Sequence, residues 1–290
     1  SIITLQDAFT KPLEQEITSQ GYFYQCLIVA HLGKVGVKGD DIDTYFNLLA
    51  NIAYKMFKDN KGMIGFDQDD IDAFFDEFCK IYNFYLDRKQ VLDRLSKANI
   101  LKNNNSGFMA FTDKYLYYFF VAKYIADHLD TASEEINHLL QCVHINQNAY
   151  ILIFVSHHTK TSDFIKKIRE FANNLFKNYR PCTLDDDDVR VFNSKLSFLE
   201  ESRWESASSS PQINRQHALK MRDQVELIRQ KQSDDDDNYD HSDAILEWRQ
   251  FIRVTETLGR IIKNRAGSFT KEEIKGLLIS EINLHARMLR

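Results

Sequence analysis

The tightest constraint on the fold lies in residues 108–129, Phe-Met-Ala-Phe-Thr-Asp-Lys-Tyr-Leu-Tyr-Tyr-Phe-Phe-Val-Ala-Lys-Tyr-Ile-Ala-Asp-His-Leu. The first four residues form a short apolar run next to turn residues, as a strand would. Beyond Thr112, apolar groups recur at helical spacing nearly all round. The pattern predicts a strand running directly into a helix that has neighbours on several sides. Thr112 or Asp113 can cap the helix start. Tyr115, Tyr117, Tyr118, Phe119, Phe120 and Tyr124 cover more than one helical face. Large aromatics mainly supply buried area, so this helix is expected to be a core element rather than a ligand pocket.

The composition fits a helical chain. Among 290 residues there are only 10 glycines and 3 prolines, too few for an architecture of many strands and tight turns. The expected class is mainly α, with about two domains or one elongated helical assembly, and the length can bury a sizeable core. Net charge is −5. The aspartate runs 185–188 and 234–237 account for more than that deficit, so the rest of the chain is close to balanced, which does not fit a broadly basic nucleic-acid binder. The four cysteines, Cys26, Cys79, Cys142 and Cys182, form no Cys-x-x-Cys pair, and no signal-peptide pattern opens the chain, as expected for a reducing cytoplasm. The longest apolar runs, 115–122 and 149–155, are far shorter than the roughly 20 residues needed to span a bilayer, so no membrane contact is expected.

Residues 1–39 read as an entry helical segment, with Leu5, Phe9 and Leu13 spaced by four, a break at Gly21, an apolar stretch over 22–32 and a loop carrying Gly33, Gly36 and Gly39. Gly33-Lys34 and Lys38-Gly39 lack the Gly-x4-Gly-Lys-Ser/Thr arrangement of a phosphate loop and follow no buried strand. Residues 40–112 then give helical patterns at 41–58, 68–85 and 88–98, with Asp67 and Asp87 as caps. Asn103-Asn104-Asn105-Ser106-Gly107 supplies the turn between Ile100-Leu101 and the apolar run at 108–111. Three helices followed by a hairpin is the winged-helix order. A DNA-reading winged helix would put its third helix in the major groove. Here Arg88, Lys89, Arg94 and Lys97 are offset by Asp87 and Asp93, and nucleic-acid binding is not expected.

Residues 113–181 read as a helical array around the aromatic helix. A helix over 133–144 would be capped by Thr131 or Ser133 and supported by Glu134 and Glu135. His138 and Cys142 are four apart, but two ligands cannot fix zinc and no second pair stands nearby, so no metal is expected. Residues 146–155 suit a buried strand or helix by pattern, and their helical surroundings favour helix. His157-His158 closes that run, where imidazoles can meet the last carbonyls. Ser162 or Asp163 would start a helix to about Tyr179. Residues 182–243, with both aspartate runs and the serine tract 206–210, read as an acidic, exposed linker with exposed helices. The aspartates lack the alternating ligands, central Gly and terminal Glu of an EF-hand loop. Residues 244–290 form a C-terminal helical pair: 244–263, ended by Gly267, and 271–289, opened by a Thr270/Glu273 capping box. A helix running to Arg290 with no stop signal, and no initiator Met, are expected of a segment of a longer protein.

The 108–129 run resembles the Phe…Tyr-Phe-x-Ala-x-Tyr helix that follows the winged-helix region in bacterial STAND NTPases with a NACHT module. Three other regions resemble the same family in the order it would have them. They are Gly21-Tyr22-Phe23-Tyr24-Gln25 with Asp41-Ile42-Asp43-Thr44-Tyr45-Phe46, then Ile151-Leu152-Ile153-Phe154-Val155-Ser156-His157-His158, then Leu258-Gly259-Arg260-Ile261-Ile262-Lys263-Asn264. The resemblance implies a regulatory region C-terminal to a nucleotide-binding module. Such a region couples recognition of a trigger, for instance a phage protein, to oligomerisation in bacterial defence. Its partners would be that absent module and other subunits. Neither Walker motifs nor an effector signature is present, so no catalytic residue, cofactor or metal ligand carries over, and the segment is not expected to be an enzyme.

Overall fold

A computed structural model describes residues 20–183, apart from 40, 60–64, 83–86, 105–106 and 160, and residues 243–289, apart from 266. The expectations for 1–19, the acidic segment 184–242 and the termini of the loops just named lie outside the described residues. Among the described residues the fold is mainly α with one short antiparallel hairpin. The elements are α1 (Gln20–Lys34), α2 (Asp41–Lys58), α3 (Gln68–Ile81), α4 (Arg88–Lys97), β1 (Leu101–Asn103), β2 (Met109–Phe111), α5 (Lys114–Asp127), α6 (Ser133–Gln141), α7 (Asn146–His158), α8 (Ser162–Asn174), α9 (Asp243–Arg265) and α10 (Lys271–Met288). The chain divides into one compact unit of Ser1–Arg169 with Ile252–Leu277 and another of Glu170–Phe251 with Leu278–Arg290.

In the first unit, local chemistry sets most element ends. Asp67 and Asp70 form a reciprocal capping box at α3, Asp87 accepts from the Gln90 N–H at α4, and Asp113 accepts from the Tyr115 and Leu116 N–H groups at α5. Each acceptor satisfies a donor that the first helical turn leaves orphaned. Thr112, the alternative cap, donates instead to the Asn99 carbonyl at 2.7 Å. Asn99 has φ 54°, a left-handed conformation that asparagine tolerates better than most residues, and it turns the chain from α4 into β1. The hairpin pairs Leu101 with Phe111 and Asn103 with Met109. Asn104 tightens its turn through the Phe108 N–H.

A third extended segment, at Phe66, joins this small sheet and is not foreseen from the sequence. Phe66 exchanges both backbone hydrogen bonds with Met109, at 2.8 and 2.7 Å. Gly65, at φ 94°, permits it: a Cβ there would fall 2.2 Å from the Met109 carbonyl oxygen. Several helix boundaries also differ from expectation: α3 ends at Ile81 rather than 85, and α8 at Asn174 rather than about Tyr179. The helix from Ser133 ends at Gln141 rather than 144, and Ala132 precedes it with no side-chain cap. Gly21 interrupts nothing, because α1 runs from Gln20 to Lys34 through it.

α5 lies at the centre of this unit. Leu116 to Ala122 and Ile125 are all buried, and Tyr117, Phe119, Phe120 and Val121 are fully so. α5 packs chiefly against α7 and α2, which explains why its apolar groups are not confined to one stripe. α7 is buried from Asn148 to Ser156, which accounts for the apolar run that pattern alone left between strand and helix. Within the same unit, Thr270 and Glu273 form the expected capping box at α10: the Thr270 N–H donates to Glu273 Oε2 at 2.8 Å, and the Glu273 N–H to Thr270 Oγ1 at 3.2 Å.

The second unit is held by backbone-directed contacts. Phe176, at φ 51°, donates its N–H to Glu247 at 2.6 Å, Cys182 donates to the Ala286 carbonyl at 2.9 Å, and the Arg287 guanidinium donates to the Ala172 carbonyl at 3.1 Å. Phe251 sits edge-on to both Phe176 and His285.

Candidate functional site

Of the stretches singled out in the sequence, those on α1, α2 and α7 meet the aromatic run on α5, and the one on α9 meets α7. Phe46 of α2 meets Phe119 and Phe120 edge-on, with centroids 6.4 and 5.5 Å away. Phe154 of α7 meets Phe119 at 5.7 Å and Tyr24 of α1 at 5.6 Å, while Tyr24 also lies 6.1 Å from Tyr115. Arg260 of α9 lies over the Tyr150 ring at 5.2 Å and hydrogen-bonds its hydroxyl at 3.3 Å. Glu256 completes this corner. Burial by itself would raise its carboxyl, but the charges of Arg260 and Arg253 outweigh that and hold it below the usual carboxylate range. Phe119 therefore touches the helix–hairpin segment on one side and the helical array on the other.

The third helix, α4, is where DNA would be read if this segment read it, and its cations are largely engaged. Arg88 pairs with Asp72 at 2.6 Å, Lys97 with Asp93 at 2.6 Å, and Arg94 donates to the Tyr45 hydroxyl at 3.4 Å. The far end of α4 is further tied down by His31, whose Nδ1 donates to the Ala98 carbonyl at 2.7 Å. A helix that binds phosphate needs cations free to displace counterions.

The histidines at the end of α7 have a structural role. His158 packs edge-on to Phe119 with centroids 4.5 Å apart. Burial, reinforced by His157 and Lys123, lowers its pKa to about 3, so it is neutral at pH 7. His157 is also lowered, first by burial and then by the charge of Arg265, and its Nε2 lies 3.3 Å from the Gln25 side-chain oxygen. It also explains Gly21: a Cβ on that residue would sit 2.2 Å from the His157 ring. Cys142 is raised by burial, which makes it a poorer thiolate. Among the described residues, no three His, Cys, Asp or Glu side chains come together as metal ligands. Gly33 and Lys34 end α1, and the loop beyond them, with positive φ at Gly36 and Gly39, follows a helix rather than a strand. The small void bounded by Met56, Phe66, Phe74, Leu101 and Met109 is lined by apolar groups alone. No described helix is long and apolar enough to cross a membrane.

Comparison with known proteins adds one match. The family model described as Novel STAND NTPase 4 matches residues 66–121. The match begins at the Phe66 bridge, takes in α3, α4 and the hairpin, and ends inside α5. No curated protein and no solved structure matches the chain. Residues 66–121 are therefore a STAND NTPase-related region, covering less than half of the chain.

Proposed function

We propose that this chain is a non-catalytic regulatory region of a bacterial STAND NTPase of the NACHT type, with residues 40–112 acting as a winged-helix-like module that relays state rather than reading DNA. The reading rests on one observation: the STAND-related stretch runs without interruption from the helix–hairpin segment into α5, where Phe119 contacts both Phe46 and Phe154. A displacement of α2 or the hairpin is transmitted to the array through a close-packed aromatic contact, because such cores shift between discrete arrangements rather than deforming smoothly. In the assembled protein the region would contact a nucleotide-binding module and neighbouring subunits, and couple a trigger, such as a phage protein, to oligomerisation in the cytoplasm.

Two measurements on the chain test this proposal. Calorimetric titration with magnesium ATP and ADP is expected to give no binding heat, because no loop here can wrap a triphosphate. Electrophoretic shift against duplex DNA at low salt is expected to show no complex. Micromolar nucleotide affinity would replace the regulatory reading with an enzymatic one. A DNA complex with a steep salt slope would replace it with a winged-helix DNA-binding regulator.

A further inference from the structure

We propose that an exposed seam along α9 pairs antiparallel with the same seam of a second copy of this chain. Ile245, Trp248, Ile252, Thr255, Gly259 and Ile262 recur at the alternating three- and four-residue spacing of a coiled-coil seam. None of them is buried, and Ile245, Trp248 and Ile252 are 48%, 51% and 38% exposed. Gly259 lies open, since a Cβ there would meet nothing within 4 Å. Val254, Leu258 and Ile261 form the buried face of the same helix. α9 is thus already ordered by its own fold, and pairing costs little further entropy.

Size and charge together select a second copy as the occupant. Two identical helices related by a two-fold axis make every contact twice. The antiparallel register that sets Trp248 against Gly259 of the second copy also sets Ile245 against Ile262 and Ile252 against Thr255. The largest side chain of the seam then meets the one position with no side chain. An in-register parallel pair would instead set Trp248 on Trp248 and Gly259 on Gly259, a clash and a gap. Arg249 and Glu256 flank the seam next to Trp248 and Thr255, at positions where charges fix partner and orientation. In the antiparallel register each stands across from the other, so the pair is opposite in sign and occurs twice. The Glu256 side chain keeps 32% of its exposure while it bridges Arg253 and Arg260, and a carboxylate can accept from a further guanidinium. This face goes beyond the regulatory role proposed above and rests on the seam alone; the nucleotide and DNA titrations decide that role separately.

The test is sedimentation equilibrium of the intact chain from about 1 to about 100 µM. The parent is expected to show a reversible monomer–dimer equilibrium that weakens with added salt. Gly259→Trp, which has room in the chain's own fold, should raise the dissociation constant by about tenfold or more, because it sets indole against indole. Trp248→Ala should also weaken the dimer. The double variant Trp248→Ala/Gly259→Trp restores one large and one small partner and should bind more tightly than either single variant. Arg249→Glu, which sets two acids across from each other, should raise the dissociation constant by about tenfold. A parent that stays monomeric throughout overturns the proposal, as it would if another segment of the same chain lay on the seam. A dimer indifferent to both Gly259→Trp and Arg249→Glu overturns it as well. A double variant no tighter than the single ones overturns the antiparallel register. Because the parent's own mass decides the first of these, the test stands even if a variant fails to fold.

Discussion

The hydroxyl of Tyr54 on α2 donates a 2.6 Å hydrogen bond to Oε1 of Glu135 on α6. The same ring stacks on Tyr124 of α5 at 3.9 Å, and Tyr124 in turn stacks on His128 at 4.1 Å. This half-buried column is a polar counterpart, nearer the surface, of the Phe46–Phe119–Phe154 contact. It ties the helix–hairpin segment to the array a second time.

Its strength depends on pH in a defined direction. Glu135 is lowered, first by the Tyr54 hydrogen bond. A carboxyl depressed in the folded state contributes stability above its unfolded pKa and loses it as pH falls through the folded value. Tyr54→Phe should therefore cost about 1 kcal/mol near pH 7. The difference from the parent should shrink as pH drops below the usual carboxylate range. Urea melts of both proteins at pH 7 and pH 3 check this.

His158 gives a second acid-linked term. Its folded pKa of about 3 lies below the ordinary histidine value, so the unfolded chain takes up a proton that the folded chain refuses. The resulting stability is whole above about pH 6.5 and declines by about 1.4 kcal/mol per pH unit below it. His158→Phe, which keeps a ring against Phe119, should flatten that decline between pH 6 and 4. An unchanged slope would mean that the imidazole is protonated in the folded chain.

Gly21→Ala tests the closest approach between α1 and α7. The added methyl would meet the His157 ring, and overpacking of this kind costs about 1–3 kcal/mol. Adding His157→Ala should recover part of the loss, a non-additivity that thermal melts of the two single variants and the double variant would read directly.

Much of this architecture is legible in the sequence where local chemistry decides it. Asp67, Asp87, Asp113 and Thr270 stand at helix starts with their acceptors in place, and the asparagine-rich turn before Phe108 marks the hairpin. Tertiary contacts override local signals elsewhere. Gly21 looks like a breaker, yet it is a glycine because a ring from residue 157 occupies the space of its Cβ. Phe66 pairs with Met109 across 43 positions, and only Gly65 before the Asp67 cap hints at it. Ala132 precedes α6 with no side-chain cap, while the Thr131 hydroxyl donates to the His128 carbonyl one turn back.

The central claim is that α5 joins the helix–hairpin segment and the array into one cooperative element, and native-state hydrogen exchange in Phe119→Ala tests it most directly. Emptying this fully buried site should cost about 3–5 kcal/mol. If the coupling holds, the slowest amides of α2 and α7 will lose protection together and by similar amounts, as one opening unit does. Lost protection confined to α7, with α2 exchanging as in the parent, would contradict the claim.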